Sequence, residues 1–147
     1  MTDFGGNSVA KIIQNLIIDL GLMTLPSDNG DWPLFVAHLP DDVVNSGCVY
    51  ETAGVQDGRI SQSGEVVEHY GIQLTVRANS YEIGRAKAEA IALALDALFN
   101  QSVSLEDSGE VYVVQNVKRT SSVISLGIEP GSQRNQLFTL NFLITIN

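Results

Sequence analysis

Apolar and polar residues alternate along residues 70–77. Tyr70, Ile72, Leu74 and Val76 fall on one side, and Gly71, Gln73, Thr75 and Arg77 on the other. That two-residue period predicts a strand with one buried face. Asn79 and Ser80, both good N-cap residues, then break the pattern, and Glu82 stands three positions after Asn79 as in a capping box. From there Ile83, Ala86, Ala90, Ile91, Ala94, Leu95, Leu98 and Phe99 recur at three- and four-residue steps, a helical stripe. Ala88, Ala92 and Ala97 fill the gaps, favour helix and allow close packing on a sheet. This strand–helix unit is the centre of the predicted fold.

The same periodicities place the other elements. Val9, Ile12, Ile13, Leu16, Ile17 and Leu20 form an amphipathic helix, capped by Asn7 or Ser8 and stopped by Gly21. Residues 26–31 read as a turn-rich loop. Residues 32–39 read as a first strand, with Pro33 and Pro40 at its ends suggesting a sheet edge. Residues 43–52 form a weaker strand with Gly47 as a bulge or kink. The polar, Gly-containing stretch 53–64 is expected to be a long connection or hairpin tip, and Glu65 opens the strand leading into the central unit. After the second helix, residues 100–109 read as a turn. Residues 111–118 follow as a strand, with Val111, Val113, Gln115 and Val117 set against Tyr112, Val114, Asn116 and Lys118. Residues 122–128 make another short strand ended by Pro130-Gly131. In 136–147, Phe138, Leu140, Phe142, Ile144 and Ile146 share one side, the pattern of a strand in mid-sheet.

Two helices and about six strands predict an α+β fold: one mostly antiparallel sheet with both helices packed on one face. The second sheet face is half polar and must meet solvent or another subunit. With 147 residues and neither repeats nor an internal linker, residues 1–147 are expected to form one domain.

Composition narrows the function. Charged residues make up 17% of the chain, against roughly 25% in an ordinary soluble domain. Such a low-charge surface suits a protein packed against others, and equally a domain with Ser/Asn-rich loops. The net charge is −9, and residues 1–68 hold ten carboxylates against Lys11 and Arg59 alone. Affinity for DNA phosphates rests on clustered Lys and Arg, so this chain repels DNA or attracts a basic partner. Cys48 stands alone, which sets the expectation of a reducing, intracellular setting. No basic segment precedes an apolar run near the start, so no secretory leader is expected. The apolar stretches are interrupted by Gln14, Asn15 and Asp19, and by Asp96, so no membrane span is expected.

Candidate chemistry is sparse. The phosphate-cradling, dinucleotide, zinc-protease and serine-hydrolase motifs are all missing from the sequence. His38, His69 and Cys48 lack the spacing of a metal site, and a structural role is favoured for each. Asp28-Asn29-Gly30-Asp31 lacks the alternating ligands and terminal Glu of a calcium loop, and reads as a polar turn. Asp41-Asp42 and Glu106-Asp107 read as solvated loop charges, because adjacent side chains point apart. Lys118-Arg119 is too small for a nucleic-acid footprint. No catalytic residue, cofactor or metal is expected. Arg77, at the end of the central strand, and Arg85 and Lys87, on the helix, sit where they can reach a neighbour's carboxylates, although solvent-exposed cations would look the same.

Gln73-Leu74-Thr75-Val76-Arg77, then Tyr81 and the Ala-rich helix, resembles bacteriophage tail terminator (tail completion, or minor capsid) proteins, with their Q-x-x-V-R strand, aromatic turn and Ala-rich helix. Leu39-Pro40-Asp41-Asp42 followed by Tyr50-Glu51-Thr52-Ala53-Gly54 is similar to that family's P-D and Y-[DE]-T-x-G segments. Leu126-Gly127-Ile128-Glu129, Arg134, Phe138 and Asn141-Phe142 are similar to its closing strand. The resemblance implies a structural virion protein of the phage neck, not an enzyme, assembled in the host cytoplasm. It would cap the tail tube as a ring, usually a hexamer, end tube polymerisation, and join the tail to the head connector. DNA would pass through the lumen without specific binding, and acidic walls would repel it over about 8–10 Å. The implied partners are copies of itself, the tail-tube protein and a head-closure or connector protein.

Within that reading, Arg77, Tyr81 and Arg85 at the strand–helix junction are the expected subunit contact. Gln56, Asp57, Arg59 and Gln62 in the Gly-rich loop are the expected contact with tube or connector. The alternatives are another neck or tube component (a head-closure or tail-tube protein) or a small cytoplasmic ligand-binding α+β domain. The last would need a pocket of converging polar groups and a perturbed ionisable residue.

Overall fold

The computed structural model describes residues 8–28, 30–40, 43–56, 68–105, 109–131 and 135–146. Helix α1 (Val9–Asp19) starts at the N-cap Ser8, whose Oγ accepts the Lys11 amide at 3.2 Å. It ends before Gly21, which takes φ +76, the left-handed stop that only glycine adopts cheaply. A short 3-10 turn (Pro26–Asp28) leads to strand β1 (Leu34–Val36). Then come β2 (Ser46–Gln56), β3 (Glu68–Ala78), α2 (Tyr81–Asp96), β4 (Phe99–Ser104), β5 (Val111–Arg119), β6 (Ile124–Ile128) and β7 (Gln136–Ile146).

The strands form one sheet in the order β1-β2-β3-β7-β5-β4, antiparallel except for the parallel β1–β2 pair. β7 is interior, as its period predicts. It pairs with β3 along one edge, and shares its other edge between β6 at its start and β5 at its end. Phe138, Leu140, Phe142, Ile144 and Ile146 all lie under the helices, joined by Ile72, Leu74 and Val76 of β3. α1 covers β1–β3 and β4, and α2 covers β3, β7 and β5, so both helices share one face and one core. The fold is α+β, as the sequence pattern predicts.

Five local expectations are corrected. The first strand shrinks to three residues because Trp32 and Ala37, on either side, adopt positive φ (56 and 66) and end the extended backbone. It does lie at the sheet edge. Gly47 is regularly paired with Val76 and is not a bulge. The irregularity falls between Thr52 and Val55, where a Cβ on Gly54 would run into the His69 carbonyl. Residues 100–104, expected in a turn, and Phe99, expected in the helical stripe, form β4, which buries only Val103 and therefore lacks a two-residue period. In β5 a shift between Val114 and Asn116 flips the alternation, so Tyr112, Val114 and Val117 are buried while Val111 is exposed. The capping box does not form. Ser80 is the N-cap of α2, its Oγ donates to Glu82 Oε2 at 3.0 Å, and the Asn79 amide bonds Asn45 Oδ1 at 3.2 Å.

The orientation of α2 is the largest difference. Its buried residues are Gly84, Ala88, Ile91, Ala92 and Leu95, while Ile83, Ala86, Ala90 and Phe99 of the predicted stripe are exposed. Phe138 is large and rises from the sheet, and the helix meets its ring through glycine, its smallest residue. Gly84 sits against the Phe138 ring and Ala78.

Candidate subunit contact surface

The strand–helix junction splits the three residues proposed for it. Arg77 follows Val76 on β3 and so projects from the sheet face opposite the helices. Its side chain is only 2% exposed. Nε and Nη2 donate to Glu129 Oε2 at 3.1 and 2.7 Å, and Nη1 donates to the Val43 carbonyl at 3.0 Å and to that of Pro40. One guanidinium therefore ties together β3, the segment leading into β2, and the end of β6. Its charge is used inside the subunit, which makes Arg77 a positioning residue.

Tyr81 and Arg85 lie on the helix side and are both accessible. The Tyr81 ring rests on Phe138, centroids 5.6 Å apart and planes at 52°. Arg85 Nη1 donates to Tyr81 Oη at 3.4 Å, and Nη2 pairs with Glu89 at 3.2 Å across one helical turn. The result is a small amphipathic cluster with an aromatic base and a cationic rim. Asp57, Arg59 and Gln62, and the Gln56 side chain, lie outside the described residues.

Other cations are engaged within the chain as well. Lys87 Nζ donates to the Leu22 carbonyl at 2.7 Å and sits 5.0 Å from the Trp32 ring centroid, and burial lowers its pKa. Arg119 pairs with Asp96 at 3.1 Å. The helix-free sheet face carries polar cross-strand rows, Cys48–Thr75–Thr139 and Tyr50–Gln73–Asn141. His69 Nδ1 meets Thr145 Oγ1 at 2.8 Å on the same face. Cys48 is fully buried, and desolvation raises its thiol pKa, so it is no thiolate nucleophile at neutral pH. Burial pushes the Tyr50 phenol up to about 12, which keeps it neutral.

Among the described residues, no group of three His, Cys, Asp or Glu side chains converges as metal ligands. An open cleft of about 610 Å³ is lined by Trp32, Pro33, Phe35, Val43 and Asn45, with Asp31 as its ionisable residue. Among the described residues it gathers neither histidines nor paired acids. No helix among the described residues is long and apolar enough to cross a membrane.

The sequence reading missed surface that is apolar and uncovered. Ile83 and Leu93 on α2, Phe99 at the start of β4, and Ile124, Leu126 and Ile128 on β6 are all exposed. A signal for the first group was present: residues 83, 86, 90 and 93 repeat at helical spacing on a second side of α2.

No curated protein matches the chain. The profile described as bacteriophage tail terminator protein matches residues 16–146, spanning every strand and α2. The chain therefore belongs to the bacteriophage tail terminator family, and is a structural protein of the phage tail.

Proposed function

We propose that this chain caps the tail tube as a closed ring of identical subunits, a hexamer, that ends tube polymerisation and joins the tail to the head connector. DNA passes through the ring without specific binding. Family membership over residues 16–146 carries this reading. It agrees with a surface that exposes apolar side chains on α2, β4 and β6. The net charge of −9 suits a passage that must not hold DNA. Solution mass with and without tube protein tests it: a discrete closed ring is expected, whereas stacked rings of growing length would indicate a tube subunit.

Tyr81 and Arg85 contribute to the subunit contact, with Arg77 holding the junction from within. Arg85→Glu places a carboxylate one turn from Glu89, a like-charge pair costing about 0.2–0.5 kcal/mol. Folding should survive while the ring population falls by native mass measurement. An intact ring would remove Arg85 from the contact. Gln56, at the end of β2, and Asp57, Arg59 and Gln62 after it meet the tube or connector. Deleting residues 57–63 should leave the thermal transition in place and abolish head–tail joining, and infectious particles at normal yield would count against that role.

A further inference from the structure

Three uncovered features follow one another along the chain. On α2, Ile83 and Leu93 are 47% and 66% exposed, with Ala86 and Ala90 exposed between them. The spacing of three, four and three residues makes one outer ridge. α2 ends at Asp96, and Phe99, 79% exposed, then opens β4. β4 is a terminal strand that pairs only with β5 among the described elements, and residues 99–105 contain neither charge nor proline. Those are the devices that normally stop an edge from recruiting another chain. The opposite terminal strand, β1, has such protection: it is three residues long and follows Pro33.

A matching surface exists elsewhere on the same chain. β6 pairs only with β7 among the described elements, and its Ile124, Leu126 and Ile128 side chains are exposed. Residues 120–128 are also free of charge. Each copy carries −9, so copies repel one another beyond contact range, with screening over about 8–10 Å. Contact must form where neither copy presents carboxylates and short-range apolar burial outweighs that repulsion. The charge-free β4 edge and β6 satisfy this together, while the α2 ridge adds apolar area but is flanked by Glu82, Glu89 and Asp96. The ridge from Ile83 to Leu93 runs about 15 Å along α2, and Phe99 opens β4 six residues further on.

We propose that the α2 ridge and the free edge of β4 receive β6 of a second copy of this chain. The inference rests on the ring reading above and supplies its interface. The two surfaces differ, so the contact is heterologous and repeats head to tail, as ring closure requires.

Two variants with one added cysteine each test it, because Cys48 is fully buried and stays silent to thiol reagents. Ser102→Cys marks β4 and Ser125→Cys marks β6, both at exposed positions. With a short bis-maleimide, the mixed variants should link to each other, and neither should link to itself. Self-linking by either variant alone, or no linking in the mixture, would overturn the proposal. Leu93→Glu and Phe99→Glu should keep the wild-type melting temperature and weaken self-association at least tenfold by sedimentation. Wild-type-like rings from both would overturn this interface and leave the ring reading standing. A wild-type chain that stays monomeric at every concentration, alone and with tube protein, would overturn both.

Discussion

Replacing Arg77 by methionine is expected to lower the unfolding free energy by about 3 kcal/mol, the range for breaking one side of a buried ion pair. Methionine keeps much of the packing volume but none of the donors. Glu129 loses two charge-assisted bonds, and the carbonyls of Pro40 and Val43 lose a shared donor. The cost falls at the lower end of that range because the Glu129 side chain keeps 20% exposure and regains some hydration. Arg77→Lys should recover only part, since an ammonium cannot serve a carboxylate and two carbonyls with the geometry of a planar fork. Urea unfolding of Arg77→Met, Glu129→Gln and the double variant checks this. Strong coupling between the two sites is expected, and simple additivity would show that the pair does not hold the junction.

Gly84→Val is the second large effect, and intrinsic helix propensity predicts the wrong sign for it. Valine is the better helix former, by a few tenths of a kcal/mol over glycine. The tertiary site reverses this. A Cβ at position 84 would lie 2.9 Å from the Ala78 Cβ and 3.0 Å from Phe138 Cδ2, with the ring's Cε2 nearer still. Phe138 is fully buried in the interior strand and carries Tyr81 on its ring, so it has little room to turn away. Overpacking of this kind costs about 1–3 kcal/mol, and the upper end is expected because both neighbours sit on backbone elements. The midpoint in urea should drop with an unchanged slope. Because α2 would lift off the sheet, Tyr81 and Arg85 should also shift, and ring formation should weaken with stability. A variant as stable as wild type would mean that α2 does not approach the sheet through Gly84.

Elements whose burial is one-sided and unbroken were legible in the sequence. β7 alternates over its whole length, α1 carries a clean stripe, and β3 joined to α2 reads as a strand turning into a helix. What failed did so for local reasons. β4 buries one residue of six, so period-two reasoning finds nothing in it. β5 changes phase at an irregularity that leaves no mark in the residue types. The candidate contact residues divided similarly. Tyr81 and Arg85 are surface neighbours at a four-residue spacing, which a helix guarantees. Arg77 looked equally available, but its partner is Glu129, 52 positions away.

The pattern of side chains by itself determined the α+β class, the interior strand and the family resemblance, because periodicity along a short stretch records which face is apolar. Tertiary structure alone decided which of two apolar sides of α2 faces inward. Both sides satisfy the helical period, and only the fit of Gly84 against Phe138 and Ala78 separates them. It also decided that Arg77 is an internal anchor and that Leu93 and Phe99 stand uncovered. Shape complementarity and ion pairing join residues far apart in the chain, and no local pattern encodes them.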